Sequence, residues 1–125
     1  MIKKIHTDSA PAAIGPYSQA VIYGNIAYLS GSIPINPATG EITGATVAEQ
    51  TEQVIRNIGE VLKAAGSDFT KVIKATCFLT DIAAFSEFNA VYEKYFTGKP
   101  ARSCVEVSAL PKGALVEVEV IAGIF

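Results

Sequence analysis

The sequence has few of the residues on which common catalytic centres are built. Its 125 residues include one histidine, His6, and two cysteines, Cys77 and Cys104. Neither cysteine has the CxxC spacing or the neighbouring histidines of a zinc site, and the pair does not make a disulfide framework. His6 stands near the N-terminus, outside any nucleophile motif. We therefore expect no metal, no cofactor and no histidine-activated nucleophile.

Phosphate-binding loops, a basic field and long apolar runs are also missing. The glycines never fall into the G-x-G-x-x-G or G-x-x-x-x-G-K spacing. Ten lysines and arginines face twelve acidic residues, which gives a formal net charge of −2, and the cations are scattered. No segment approaches the roughly 20 apolar residues that cross a bilayer, and polar residues follow Lys3-Lys4 where a signal peptide would be apolar. We expect a cytoplasmic protein with no nucleic-acid or membrane partner.

What the sequence does contain is apolar surface. Half of the residues are hydrophobic and only 18% are charged. A chain of this length buries roughly two-thirds of its unfolded surface as one domain, which we take to span residues 1–125. The composition is rich for a small monomer, so we expect part of the apolar surface to face another subunit.

The first half of the chain predicts strands followed by a helix. Residues 2–7 are a candidate edge strand, and two strands, 19–23 and 26–30, flank the tight turn Gly24-Asn25. Thr46 and Glu49 form a capping box. The helix that follows is predicted over 47–65, with Gly66 as its terminator and a solvated face that includes Asn57.

The second half predicts strand, helix and two strands. Residues 71–80 alternate as a strand with Ile73, Ala75, Cys77 and Leu79 on one side. Aromatic residues repeat at helical spacing over 83–96, as in a packed core. Segments 101–107 and 115–122 are predicted as a hairpin across Pro111-Lys-Gly113. Strand runs interrupted by two amphipathic helices favour an α+β fold, a single sheet with both helices on one face.

Charged residues stand on the two C-terminal strands, where full burial would be costly. Arg102 suits bidentate capture of a small carboxylate, although an interstrand salt bridge to Glu117 or Glu119 explains it equally well. The two glutamates share a face. A carboxylate beside an apolar wall can have a raised pKa and act as acid or base near neutrality, whereas an exposed strand carboxylate would be inert.

Three segments carry a family resemblance. The run from Pro100 to Ala122, with Gly15-Pro-Tyr-Ser-Gln19 and Ser30-Gly-Ser-Ile-Pro34, resembles the Rid (YjgF) family of imine and enamine deaminases. The resemblance implies a chorismate-mutase-like fold that forms homotrimers, with active sites in clefts between subunits. It implies cofactor-independent hydrolysis of 2-enamines and 2-imines, such as 2-aminoacrylate, to 2-keto acids and ammonia.

The resemblance also implies roles for individual residues. Arg102 would hold the substrate carboxylate and Glu117 would position water, while Glu119 would be structural. The remaining implied substrate contacts are Tyr17, Ser30, Gly31, Asn89 and the backbone of Cys104. Two places depart from the pattern: Ser32 stands where glutamine is common, next to the implied pocket, and Ser108-Ala109 stands where Ala-Arg often precedes Leu-Pro.

Two other functions remain open at this stage. A trimeric binding or regulatory module could use the same clefts for small carboxylates without turning them over. An RNA-cleaving activity fits poorly with the acidic charge balance and the absence of basic stripes.

Overall fold

A six-stranded sheet carries two helices on one face in the computed structural model, which describes all 125 residues. The elements are β1 (Lys3–Ile5), β2 (Ala20–Tyr23), β3 (Ile26–Leu29), α1 (Val47–Ala65), β4 (Val72–Leu79), α2 (Phe85–Tyr95), β5 (Ala101–Glu106) and β6 (Val116–Gly123). The strand order is β1-β2-β3-β6-β4-β5, antiparallel except for β4 and β5. The predicted α+β class is confirmed. No helix in the chain has the length and apolar character to cross a bilayer.

Helix α1 begins and ends where its local signals place it. The Thr46 hydroxyl accepts from the backbone N–H of Glu49, and the Glu49 carboxylate accepts from the N–H of Thr46. These bonds satisfy donors that the first turn leaves free. At the other end Gly66 adopts φ 82°, a conformation that costs a residue with a Cβ more than it costs glycine. The prediction of 47–65 is confirmed.

The core lies between the helices and one face of the sheet. From β6, Val116, Val118 and Val120 point to the helices and are fully buried. The helices meet them with apolar side chains that include Val54, Ile55, Ile58 and Leu62 of α1 and Phe88 of α2. The predicted aromatic stripe of α2 packs here, where Tyr92 stacks on Phe96 with ring centroids 4.2 Å apart.

The predicted hairpin between β5 and β6 is wrong. β4 lies between these strands, antiparallel to β6 and parallel to β5. The reason is burial: the core face of β6 is fully covered, which requires a neighbour on each side, whereas β5 is largely exposed and forms the sheet edge. Residues 107–115 are long enough to cross β4, and α2 makes the crossover that a parallel pair requires.

Two predicted side-chain orientations are also wrong. A bulge between Val72 and Lys74 shifts the register of β4, so Val72 is buried and Ile73 is exposed, the reverse of simple alternation. On α1, Asn57 was expected in solvent but is buried. Its amide nitrogen donates to the carbonyl oxygens of Ile33 and Ile35, 3.4 and 2.9 Å away, and so ties the loop after β3 to the helix.

A second irregularity stands where β3 ends. Tyr28 pairs with Ile121 and Ser32 pairs with Val118, so four steps along one strand match three along the other. One extra residue therefore lies between Leu29 and Ser32, as in a β-bulge. Leu29 and Ser32 both belong to the helix side, and Ser30 and Gly31 occupy the place of a single residue.

The sheet face opposite the helices is left uncovered. Tyr28, Ile73 and Val105 are each more than 40% exposed, and Glu117 and Glu119 stand on the same face. Isolated exposed apolar residues are common, but a row of them across one face is typical of an interaction surface.

Candidate functional site

The bulge after β3 brings Gly31 against the carboxylate of Glu117. A Cβ built on Gly31 would lie 3.0 Å from Glu117 Cδ and closer still to Oε2, so the site admits glycine and no larger residue without displacing the glutamate. The backbone of Gly31 has no positive φ, so its conformation does not require glycine. Glycine is needed here because a side chain would collide with Glu117. Gly31 and Glu117, together with Tyr17 and Ser30, form what we call the glutamate cluster.

Glu117 is electrostatically distinct among the acidic residues. Partial burial, and secondarily the negative charge of Glu119 two residues on, raise the pKa of its carboxyl above the ordinary value of 4.5. No hydrogen bond or salt bridge within the chain occupies the carboxylate. A partly desolvated, unpaired carboxyl with a raised pKa holds a proton more readily than an ordinary glutamate, which makes Glu117 a candidate acid or base.

Ser30 links the Tyr17 loop to the end of β3. Its hydroxyl donates to the carbonyl oxygen of Ser18 at 2.6 Å, and its backbone N–H donates to that of Gln19 at 3.0 Å. The hydroxyl proton is thereby committed, and only the oxygen is left to accept. Tyr17 follows a tight turn at Gly15 and leaves 54% of its surface exposed, so the ring projects from the cluster.

Arg102 stands on edge strand β5 with its guanidinium held by α2. One Nη atom donates to Asn89 Oδ1 at 2.6 Å. The guanidinium carbon also lies 4.7 Å from the ring centroid of Tyr92 and 5.4 Å from that of Phe85, as in cation–π contacts. Asn89 and Arg102, together with Cys104, form what we call the arginine cluster. The predicted alternative, a salt bridge to Glu117 or Glu119, is wrong.

The remaining donors of Arg102 face a cleft of about 330 Å³ along the sheet edge. A guanidinium has five N–H groups, of which Asn89 takes one, so a planar anion can still bind in a bidentate manner. Cys104 lies next to it as a protonated thiol, because burial raises its pKa and the charge of Arg102 opposes this only in part. The thiol is therefore a poor nucleophile.

The two clusters lie on opposite faces of the sheet. Arg102 pairs with Ala75, which is fully buried on the helix side. Glu117 pairs with Phe78, and Phe78 with the exposed Val105 on the open side. Paired residues of a sheet point to the same face, so the chain places Tyr17, Ser30, Gly31 and Glu117 in one group and Asn89, Arg102 and Cys104 in another. The cavity beside Gly31 does not include Arg102, and the cleft beside Arg102 does not include Gly31.

Some contributors to these clusters were not predicted as such. Gln19 is buried, accepts from the Thr7 N–H at 2.7 Å and donates to the Pro11 carbonyl at 2.8 Å, which fixes the loop that carries Tyr17. Tyr92 was assigned to the core by its spacing, and only its contact with Arg102 gives it a second role. A glutamine beside a predicted loop, and an aromatic one turn from Asn89, carry no distinct sequence signal.

The side chains offer little to a metal ion. No group of three or more histidine, cysteine, aspartate or glutamate residues is close enough to hold one. His6 is paired with Asp8 at the surface, 2.9 Å away, and Cys77 is buried in the core, where its pKa is raised to about 12.

The chain is similar in sequence and in fold to proteins of several organisms. Residues 7–124 match the family model described as endoribonuclease L-PSP. The putative regulator AldR of Lactococcus lactis is 56% identical, covering 97% of each chain. The 2-iminobutanoate/2-iminopropanoate deaminase of Bos taurus is 54% identical over 96% of this chain and 88% of its own. The structure of the Rid-family protein YyfA from Yersinia pestis superposes with a TM-score of 0.96 at 53% identity, covering 99% and 100% of the two chains.

Proposed function

This chain belongs to the Rid (YjgF) family, which the endoribonuclease L-PSP model describes, and from that premise we propose that it hydrolyses 2-enamines and 2-imines to 2-keto acids and ammonia. The expected substrates are reactive three- and four-carbon acids such as 2-aminoacrylate. The reaction would need no cofactor, because an imine carbon is already electrophilic. We place the protein in the cytoplasm, where its two free cysteines would stay reduced.

The observation that carries the proposal is the separation of Arg102 from Glu117. A small substrate cannot reach two side chains on opposite faces of one sheet, so a site that uses both must take one cluster from each of two subunits. A closed ring would build such a site at every interface. Association through the open face would bury the exposed apolar side chains of Tyr28, Ile73 and Val105. We propose a homotrimer with three such sites.

Arg102 would bind and orient the substrate. Its free N–H groups form a planar fork that matches a carboxylate, and the rings of Tyr92 and Phe85 hold the guanidinium in place. Fixing the carboxylate sets the position of C2, the imine carbon. Orientation of this kind supplies much of the acceleration where the protein contributes no strong nucleophile.

Glu117 would move the protons. It accepts a proton from a water molecule as the water oxygen bonds to C2, and the C=N double bond becomes a single bond. The carboxyl gives this proton to nitrogen, which leaves a carbinolamine with one hydroxyl and one amino group on C2. The carboxylate then takes the hydroxyl proton and delivers it to the amino nitrogen, so that the C–N bond breaks, the C=O bond forms and ammonia leaves. For an enamine, a proton added at C3 first gives the iminium ion, which becomes the imine when its nitrogen loses a proton. The raised pKa makes the Glu117 carboxylate a stronger base than an ordinary glutamate, as the first proton transfer requires.

The direct test follows pyruvate release from 2-aminoacrylate made in situ by a serine dehydratase. We expect the protein to accelerate release, and Arg102→Ala and Glu117→Ala to abolish the acceleration while keeping the wild-type oligomeric mass. The proposal is abandoned if the wild type has no effect on this substrate or on 2-iminobutanoate.

Mixing the two inactive variants tests whether sites lie between subunits. Each variant retains one intact cluster, so a hybrid ring contains some sites with Glu117 from one subunit and Arg102 from the next. After random reassembly of equal amounts we expect about one quarter of the wild-type rate. If both residues acted within one chain, the mixture would stay inactive.

A binding module without turnover is the second candidate, favoured by one observation. The relative from Lactococcus lactis is named as a putative regulator and is as similar to this chain as the deaminase is. Tight binding of a small 2-keto or amino acid, lost in Arg102→Ala and returned unchanged, would support that function instead.

A further inference from the structure

Cys77 and Cys104 stand side by side on neighbouring parallel strands. The two residues are paired in register between β4 and β5, so their side chains point to the same face of the sheet. That face is the helix side, because Cys77 is fully buried in the core. Neighbouring strands of a sheet lie about 4.8 Å apart, and the chain therefore holds two thiols at about this spacing. We call Cys77 and Cys104 the thiol pair.

A guanidinium and a phenol stand beside the thiol pair. Burial raises the pKa of both thiols, and the positive charge of Arg102 opposes that rise at each of them. Tyr92 is only 7% exposed, and its hydroxyl has no hydrogen-bond partner within the chain. Burial, and after it the charge that an ionised Cys77 would carry, raises the pKa of this hydroxyl to about 12. The hydroxyl is thus a buried donor beside sulfur, and buried donors normally have an acceptor.

The spacing of the thiol pair favours a bridging metal ion over a disulfide. A disulfide needs its two Cβ atoms about 3.8 Å apart, whereas side chains on adjacent strands start about 4.8 Å apart. Two metal–sulfur bonds of about 2.3 Å each, arranged in a line, span about 4.6 Å between the sulfur atoms. The pair can therefore hold a two-coordinate ion without drawing the strands together.

Ligand number and charge narrow the choice of ion. Structural zinc takes four ligands, and no third histidine, cysteine or acidic residue stands close enough to extend the pair. Thiolates select soft ions such as Cu(I), for which two ligands in a line suffice. A coordinating thiol gives up its proton, so two thiolates and one monovalent ion carry one negative charge. Arg102 balances this charge, and a thiolate sulfur supplies the acceptor that the Tyr92 hydroxyl lacks.

We propose that Cys77 and Cys104 bind one Cu(I) ion between them, and that Arg102 and Tyr92 stabilise the bound form. Two S–H bonds break, two protons pass to the medium and two copper–sulfur bonds form, with no change of oxidation state. The ion enters at Cys104, which is partly exposed on the edge strand β5. An edge strand is paired on one side only and opens locally more readily than a central strand.

The test is an anaerobic titration of the full-length protein with Cu(I) in ascorbate, in competition with the coloured copper chelator bicinchoninate. We expect the protein to withhold one copper per chain from the chelator, and X-ray absorption to show two sulfur neighbours around the metal. Cys77→Ala and Cys104→Ala should each give up the ion. His6→Asn is the matched control, because it removes the one histidine, which follows β1 at the opposite edge of the sheet. It should retain as much copper as the wild type.

Tyr92→Phe tests the stabilising role of the phenol. Loss of a group that hydrogen-bonds a metal ligand lowers metal affinity by about tenfold to a hundredfold. We expect a loss of this size in the same competition, although the change breaks no hydrogen bond in the copper-free protein. An unchanged affinity would overturn the assignment of Tyr92 while the thiol pair is judged by its own variants.

Three results would overturn the copper site itself. They are complete transfer of copper from the wild type to the chelator, retention by either cysteine variant, and a stoichiometry of one copper per two chains. Cys104→Ala changes a partly exposed residue at the sheet edge, so it decides the result if Cys77→Ala does not fold. The titration contains no imino acid, and its outcome is therefore independent of the proposed deamination.

Discussion

Replacing Gly31 by alanine should make Glu117 inactive in the proposed reaction, although Glu117 itself is not mutated. The added Cβ would lie 3.0 Å from Glu117 Cδ and closer to Oε2, well inside the 3.5–4.0 Å of a favourable carbon contact. The carboxylate, the free end of a flexible side chain, must therefore move by about 1 Å. A displacement of that size at a reacting group lowers the rate by about a hundredfold. Because Gly31 has no positive φ, we expect a stability loss of no more than about 1 kcal/mol.

The assay is kcat for 2-aminoacrylate hydrolysis, with urea unfolding measured in parallel. Gly98→Ala is the matched control, because its Cβ would meet only an ordinary contact, 3.5 Å from the Thr70 carbonyl oxygen, again without positive φ. The double variant Gly31→Ala/Glu117→Ala decides the mechanism. It should be no slower than Glu117→Ala alone, since both changes remove one function. Additive losses, or a Gly31→Ala enzyme with normal kcat, would refute the reasoning.

Four further predictions concern charge and burial. Arg102→Lys keeps the charge but loses the fork, so KM should rise at least about tenfold in steady-state assays; an unchanged KM contradicts bidentate binding. Tyr92→Phe removes a buried hydroxyl that has no hydrogen-bond partner and should raise the unfolding free energy by about 1 kcal/mol in urea, whereas a loss would mean the hydroxyl is paired. Glu117 has a raised pKa, so its ionisation destabilises the fold as pH rises above 4.5. Glu117→Gln should therefore stabilise the protein at pH 7, with a gain that vanishes below pH 4.5, and Glu119→Gln should move the acid limb of the pH–rate profile to lower pH. A limb that stays in place would exclude Glu119 as a cause.

The parts of the fold that were predicted correctly depend on neighbours in sequence. The capping box at Thr46, the αL terminus at Gly66 and the Gly24-Asn25 turn between β2 and β3 each involve atoms a few residues apart. The prediction of a β5–β6 hairpin was wrong because the order of strands in the sheet depends on which strand must have a neighbour on each side. That requirement is set by the packing of the whole core. The prediction that Asn57 faces solvent was wrong for a related reason, because its hydrogen-bond partners are carbonyl oxygens more than twenty residues away in the sequence.

The site residues were named from the sequence, but their arrangement was not. Alternation placed Glu117 and Glu119 together and opposite the valines of β6, as found. Alternation did not predict where Arg102 lies relative to Glu117. The hairpin that was predicted for their strands is wrong, and it would have allowed a salt bridge between the two residues. Only the register through β4 puts them on opposite faces. The catalytic roles of the glutamate cluster and the arginine cluster remain predictions, which the experiments above test.

The bulge after Leu29 makes the number of residues at this point, as much as their identity, a determinant of the contact between Gly31 and Glu117. Two residues occupy one place there: Ser30 anchors the Tyr17 loop and Gly31 touches Glu117. Deleting either would restore regular pairing between β3 and β6 and keep Leu29 and Ser32 on the core side. A deletion of three nucleotides in the gene should therefore give a folded protein that lacks the contact between Gly31 and Glu117. If the proposed deamination is correct, a single-codon deletion here would turn an enzyme into a binding protein while the sheet stays intact.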